Sequence, residues 1–433
     1  MNRPILLILA LAHVADQLMS AVPAWTTLGE ELASLLLRLD KEPESANLGR
    51  DADALLAKLI DCPSTAVLAR TVAENVNADV KRVAVRGVAG AGASTKGRLG
   101  SDEYDGYIAV PVFYGTDRAM REDESSAWRY TGERGEPGFG IARVSIPANH
   151  RIAELEGPTW WKLEFRPDSK KHVALMEASP CDNTVFVTQL TASLEVADAR
   201  AVLLFLHGYN VSFEDAVRRA AQLAFDLKFP GRVLVYSWPS EGRTVRYLVD
   251  SVNVEWTKPH FEEFLRLALT RVNAQTVDVI AHSMGNRALV RTLEHFDTSA
   301  LSPGCARLRQ IVFAAPDVDA DVFRGLAAAV ASRAERCTLY ASRNDKALLA
   351  SKILQHYPRA GDANDLVVVP PIDTVDASTV DTNLLSLSHS IFSDKRSILN
   401  DIFTLIQQGA PPEKRFDMKP ARCAAGPYWK YRP

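Results

Sequence analysis

Apolar and polar positions fall into distinct textures along the chain. Over residues 1–86 the apolar positions recur at helical spacing. Leu7, Leu11, Val14 and Leu18 form one stripe, Leu28, Leu32, Leu35, Leu36 and Leu39 a second, and Leu55, Leu56, Leu59 and Ile60 a third. This predicts an N-terminal helical region whose last two stripes pack together. The run GVAGAGASTKGRLG, residues 87–100, is a glycine-rich break, so a linker is expected over 87–106. From 107 to 183 a β-rich segment packed on the core is expected, because short β-type runs are separated by Pro, Gly and charge clusters. YIAVPVFYG and ARVSIPA belong to it, and NTVFVTQL, just beyond, reads as a further strand.

From residue 184 to about 410 the texture changes to alternation. The runs AVLLFLH, RVLVYSW, VDVIAHS, RQIVFAA, CTLYAS and DLVVVPP are separated by amphipathic stretches. Strands alternating with helices predict an α/β fold: a mostly parallel sheet with helices on both faces and right-handed crossovers. The helix after AVLLFLH can be read in detail. Ser212 is placed as its N-cap, Glu214 and Asp215 supply acid to its first turn, and Val217, Ala220, Ala221, Ala224 and Leu227 form its buried stripe. Residues 411–433 are left as a C-terminal tail. Function in such a sheet collects at the carboxyl ends of the strands.

One strand end carries chemistry. In VDVIAHSMGNR, residues 277–287, an apolar run turns abruptly into His, Ser, Met and Gly before a helical stretch begins. A nucleophilic serine needs this context, since a tight strand-to-helix turn pushes its Oγ out at the top of the sheet. Small residues are needed two places before and after Ser283; Gly285 meets this, and Ala281 adds one methyl. The Met284 N–H then lies at a helix N-terminus, where it is available to an oxyanion.

A serine hydroxyl needs a base and an orienting acid. Chain order restricts the base to His295, His356 or His389. His295 ends the helix that starts at the turn and points away, and His356 falls in the helical run KALLASKILQHYP, so His389 is preferred. Asp345, just beyond CTLYAS, is the preferred acid, and Asp317, one strand edge earlier, is its competitor. The second oxyanion donor is expected from the Tyr209 N–H, after the glycine of His207-Gly208-Tyr209-Asn210. His207 and His282 read as buried packing histidines. Trp238 either lines the acyl pocket or belongs to the core. Asp317, Asp319 and Asp321 mimic the start of a calcium loop, but Val322 and Ala328 stand where its glycine and glutamate belong, so no metal is expected.

Composition narrows the classes. A chain of 433 residues, 47% hydrophobic and 24% charged, is globular and holds more than one unit. Fifty basic against 53 acidic residues leave a net charge of −3, which offers no electrostatic footprint for nucleic acid. Cys62, Cys181, Cys305, Cys337 and Cys423 lack disulfide or metal spacing. No stretch is long and apolar enough to predict a transmembrane span. ILLILALA after Met1-Asn2-Arg3-Pro4, with Val22-Pro23-Ala24 as a poor cleavage site, is the alternative reading of residues 1–24. A signal peptide there implies a secreted or periplasmic protein; a helix fits a cytoplasmic one.

LLFLHGYN, VYSWPS, IAHSMGNR, FAAPDVDADVF, SRND and LSHS, with VFYGTDR and GIARVSIPANH upstream, together resemble the alpha/beta-hydrolase superfamily. The branch they resemble is the alpha/beta hydrolase domain of unknown function, over roughly residues 110–405. The resemblance implies the alpha/beta-hydrolase fold, a triad of Ser283, Asp345 and His389, and no cofactor. The expected activity is an esterase-like serine hydrolase acting on a small-molecule ester. Thioester, amide or acyl-transfer chemistry on the same triad is an alternative, as is a non-catalytic scaffold whose N-terminal helices bind a protein partner.

Overall fold

Each element of the sheet follows from a local pattern. In chain order the strands and helices are β1 (Thr95–Lys96), β2 (Asp102–Tyr104), β3 (Tyr107–Met120), β4 (Tyr130–Pro147), β5 (Ala174–Cys181) and α1 (Asn183–Glu195). The alternating part follows: β6 (Ala201–Leu206), α2 (Phe213–Asp226), β7 (Arg232–Ser237), α3 (Tyr247–Thr270), β8 (Thr276–His282) and α4 (Gly285–His295). Then come β9 (Arg307–Ala314), α5 (Ala320–Ala331), β10 (Arg336–Ala341), β11 (Asp373–Asp376), α6 (Lys395–Gln408), β12 (Met418–Cys423) and β13 (Gly426–Tyr431). The computed structural model describes residues 50–51, 54, 95–96, 102–120, 130–157, 168–240, 247–298, 301–343, 357–379 and 395–432.

The chain divides into two compact units, Met1–Ala91 with Pro158–Pro167, and Gly92–Gly157 with Asp168–Pro433. Of the first, the described residues Arg50, Asp51 and Ala54 are helical; the rest of the expected helical region, with the alternative signal peptide, lies outside the described residues. Among the described residues no helix is long and apolar enough to cross a membrane.

In the second unit the strands form one mixed sheet in the order β1-β2-β3-β7-β6-β8-β9-β10-β11-β13-β12, with β4 on β3 and β5 on β4. Neighbours from β3 through β13 along that order are parallel. Every residue of β6 and β7 is buried, because both faces are covered. Val202, Leu204 and Leu206 pack with α1, α3, α4 and α5 on one face, while Ala201, Leu203 and Phe205 pack with α2 and α6 on the other. α2 starts where its sequence pattern places it, with the Ser212 Oγ accepting from the Asp215 N–H at 3.1 Å. Such a cap contributes about 1 kcal/mol.

Four segments depart from expectation. NTVFVTQL is the start of α1, not a strand. Its β-branched residues suggest extended chain, but Phe186, Leu190 and Leu194 recur at four-residue spacing and are wholly buried, and the Asp182 carboxylate caps the Val185 N–H at 2.8 Å. DLVVVPP is not the last strand of the alternation: β11 forms after it and pairs with β10, Thr338 opposite Asp373. Pro370 and Pro371 have no N–H to offer a ladder. The end of the expected linker is ordered as β2, joined to β3 through Gly106 at φ +88. The C-terminal tail folds as the β12–β13 hairpin and extends the sheet beyond β11.

A buried histidine ties the loop after β4 to α2. His150 donates from Nδ1 to Glu156 Oε2 at 2.7 Å and from Nε2 to Asp226 Oδ1 at 2.9 Å. Burial alone lowers its pKa, but the Asp226 and Glu156 carboxylates overcome this and raise it from 6.5 to about 9. The folded value is the higher one, so this stabilisation is whole below about pH 6.5 and is lost as pH rises through about 9. Urea titrations at pH 6 and at pH 9.5 should differ by about 2–3 kcal/mol, and His150→Leu should abolish most of that difference. An equal pH dependence in the variant would overturn the assignment.

Candidate active site

β8 ends at His282, α4 begins at Gly285, and Ser283 between them takes φ +48. A non-glycine residue in this left-handed region is strained and persists only where its surroundings enforce it. Here they do. The Ser283 N–H donates to the Ala314 carbonyl at 2.9 Å, and the Ser283 carbonyl accepts from the Asp317 N–H at 3.1 Å and from the Asn286 N–H at 3.2 Å. The Asn286 side-chain amide also donates to the Ser283 carbonyl at 3.0 Å and the Ala281 carbonyl at 3.1 Å. The turn is thus bonded both to the neighbouring strand end and to its own helix.

Small residues follow from close approach. A Cβ at Gly285 would stand 2.3 Å from the His207 carbonyl oxygen and 3.0 Å from that of Leu206, both backbone atoms at the end of β6. Gly285→Ala should therefore cost about 3 kcal/mol through overpacking against rigid neighbours, read as a lower urea midpoint. A wild-type midpoint would refute so tight an approach. A Cβ at Gly208 would stand 3.0 Å from Ser283 Cβ and 2.9 Å from His282 Nδ1, so the loop after β6 lies directly on the serine. Ala281 is wholly buried between Leu206 and Phe313, its register partners.

Met284 is buried and takes the N-cap position of α4, which places its amide at the positive end of the helix. Tyr209 is half-buried, its ring edge-on to Tyr247 at 5.5 Å. Asp345 and His389 lie outside the described residues; of the other expected site residues, Met284 follows Ser283 in the turn, the Asp317 N–H bonds the Ser283 carbonyl, and Tyr209 follows the Gly208 that packs on Ser283. His295 is described, at the exposed end of α4, 3.7 Å from Glu294.

Trp238 is wholly buried, stacks on His207 with ring centroids 5.0 Å apart, and donates from Nε1 to the His207 carbonyl at 2.8 Å. Both histidines flanking the site are buried. Burial, then the Arg118 charge, lowers the His207 pKa well below 6.5, and burial, then Arg219, lowers that of His282 to about 3, so both rings are neutral at ordinary pH. Asp317 is buried beside the elbow. Its Oδ2 accepts from Tyr247 at 2.6 Å and Arg287 at 2.9 Å, and its Oδ1 lies 3.4 Å from Arg359 Nε. Asp319 Oδ1 caps α5, accepting from the Asp321 and Val322 N–H groups. Among the described residues no group of three His, Cys, Asp or Glu side chains is placed to hold a metal.

Sequence reasoning missed Arg118, Asn286, Asp250 and Arg287 around this site. Asp250 is buried in α3, and its Oδ2 accepts from the Asn210 N–H at 3.1 Å and from the Ser240 hydroxyl. Arg118 had a signal, as the last residue of VFYGTDR. Asp250, in the first turn of α3, reads from sequence only as an acidic residue near a helix start.

Comparison with known proteins assigns the chain to a family. Residues 182–408 match the model of the family described as alpha/beta hydrolase of unknown function (DUF900). No curated protein matches the chain. Among solved structures, the chain is similar to a protein of Lactobacillus plantarum described as a conjectured cell surface hydrolase. That pair is 10% identical over 51% of this chain and 96% of the other, with a TM-score of 0.29. A structure from a study of two prolyl endopeptidases is 12% identical over 62% of this chain and 35% of the other, with a TM-score of 0.22. With its mixed, largely parallel sheet, its strand–serine–helix turn and a family match over more than half its length, the chain belongs to the alpha/beta hydrolases of that family.

Proposed function

We propose that this protein is a serine hydrolase, a carboxylesterase that cleaves short to medium acyl esters through an acyl-enzyme. Ser283 attacks the ester carbonyl, His389 takes the proton and returns it to the leaving alcohol, and Asp345 orients the imidazole. The Tyr209 and Met284 amides stabilise the tetrahedral oxyanion. Water then attacks the acyl-enzyme by the same route in reverse, so the chemistry needs no cofactor.

The observation that carries this reading is Ser283 at φ +48 between β8 and α4, with Gly208 packed against it. Four hydrogen bonds and two close glycines hold a strained serine at the carboxyl edge of the sheet, where a helix N-terminus begins. Ala153, Lys228 and Ala315 also take positive φ, so what sets Ser283 apart is its place between strand and helix with two glycines packed close by. The test is labelling with a fluorophosphonate, which reacts only with an activated serine. Wild-type protein should label and Ser283→Ala should not; an unlabelled wild type, or a labelled Ser283→Ala, would reject the proposal.

A further inference from the structure

The motif VFYGTDR ends in a buried arginine whose donors are all accounted for. Arg118 is 2% exposed. Its Nε donates to Ser237 Oγ at 2.9 Å. One terminal nitrogen donates to the Thr131 carbonyl at 3.1 Å and the Ser240 carbonyl at 2.8 Å, and the other to the Val211 carbonyl at 2.7 Å and His207 Nε2 at 3.4 Å. A guanidinium has five N–H groups, and here each meets one acceptor. The acceptors come from β4, the end of β7, the loop after β7 and the loop after β6, so one side chain ties four segments together.

The contact with His207 has a chemical consequence. Arginine only donates, so His207 Nε2 must accept, and the ring proton resides on Nδ1. Nδ1 in turn donates to the Gly208 carbonyl at 2.7 Å. In a trans peptide the carbonyl and the following N–H point in opposite directions. Holding the Gly208 carbonyl against His207 therefore turns the Tyr209 N–H away from the imidazole. The rest of the loop is pinned from both sides. Arg118 holds the Val211 carbonyl, Ser240 Oγ accepts the Val211 N–H at 3.1 Å, and Asp250 accepts the Asn210 N–H.

We propose that Arg118 is a positioning residue: through the neutral Nδ1–H tautomer of His207 and the Val211 carbonyl, it fixes the loop that presents the Tyr209 N–H to the oxyanion. Its catalytic consequence rests on the serine hydrolase reading above. Lysine cannot replace it, since an ammonium has three donors on a flexible stem and no planar fork.

Arg118→Lys and Arg118→Gln are compared with wild type in two independent ways. Nitrogen chemical shifts of the His207 ring and hydrogen exchange of the 209–211 amides report the loop whether or not the protein turns over an ester. Expected are a loss of the single Nδ1–H tautomer, faster exchange at Tyr209 and Val211, and a fall in kcat and in fluorophosphonate labelling of about a hundredfold with KM little changed. Ser237→Ala, which removes the Nε acceptor and the hydroxyl 3.5 Å from His207 Nε2 but leaves the guanidinium in place, should shift the same readouts less and serves if the arginine variants fail to fold. Unchanged ring shifts and exchange in the variants overturn the proposal, as does an unchanged labelling rate. Should wild type itself not label, the hydrolase reading fails, and the ring shifts and exchange alone decide the role of Arg118.

Discussion

Replacing Ser283 with alanine is expected to lower kcat for a short-chain p-nitrophenyl ester by about a millionfold, because the members of a nucleophilic triad act as a unit. The substitution removes a single oxygen from a residue that is 5% exposed, and the backbone bonds that hold the turn do not involve it. The fold should therefore survive, and far-ultraviolet circular dichroism and the urea midpoint should stay near wild type. What remains is turnover from binding and the oxyanion amides, about a thousandfold or more above water. Steady-state kinetics on matched preparations decide the matter. If turnover persists at the wild-type rate, Ser283 is not the nucleophile and the strain at that turn has another purpose.

The strand-to-helix turn was legible from VDVIAHSMGNR because it needs only local information: an apolar run, a serine, a glycine two places on, and a helical pattern. The alternating core was legible for a related reason. A strand buried on both faces leaves an unbroken apolar run such as AVLLFL, and the helix that follows announces its start with Ser212. NTVFVTQL misled because β-branched residues outweigh periodicity over eight positions, and only the burial of Phe186, Leu190 and Leu194 against the sheet shows which pattern won. β11 was misplaced because DLVVVPP is the more apolar run, whereas the strand actually formed, Asp373–Asp376, is chosen by its ladder with β10.

What surrounds the serine was far less legible. Arg118 and His207 are 89 residues apart, and Arg118 and Ser240 are 122 apart; such pairs exist only once β3, β7 and β6 lie side by side. No periodicity records a hydrogen bond across three strands. VFYGTDR stood out as a resemblance without a mechanism, and the five-donor arrangement of Arg118 supplies one that is local to this chain's own contacts.

Asp317 separates two kinds of carboxylate, and its substitution carries the other large expected effect. It was the competing acid because it stands at a strand edge beside the nucleophile, and its N–H does bond the Ser283 carbonyl at 3.1 Å. The carboxylate, however, faces Tyr247, Arg287 and Arg359, with side-chain exposures of 2% for Asp317, 12% for Arg287 and 4% for Arg359. Removing one partner of a buried ion pair leaves charge uncompensated in a poorly solvated place, at a cost of about 3 kcal/mol. Asp317→Asn should therefore lower the urea midpoint markedly while kcat, measured well below the transition, stays within about tenfold of wild type. A triad acid behaves in the opposite way, losing about ten-thousandfold in kcat with the geometry intact, because the imidazole then adopts the wrong tautomer. Finding that second pattern in Asp317→Asn would transfer the acid's role from Asp345 to Asp317; finding the first leaves Asp317 as the residue that neutralises two arginines behind the nucleophile.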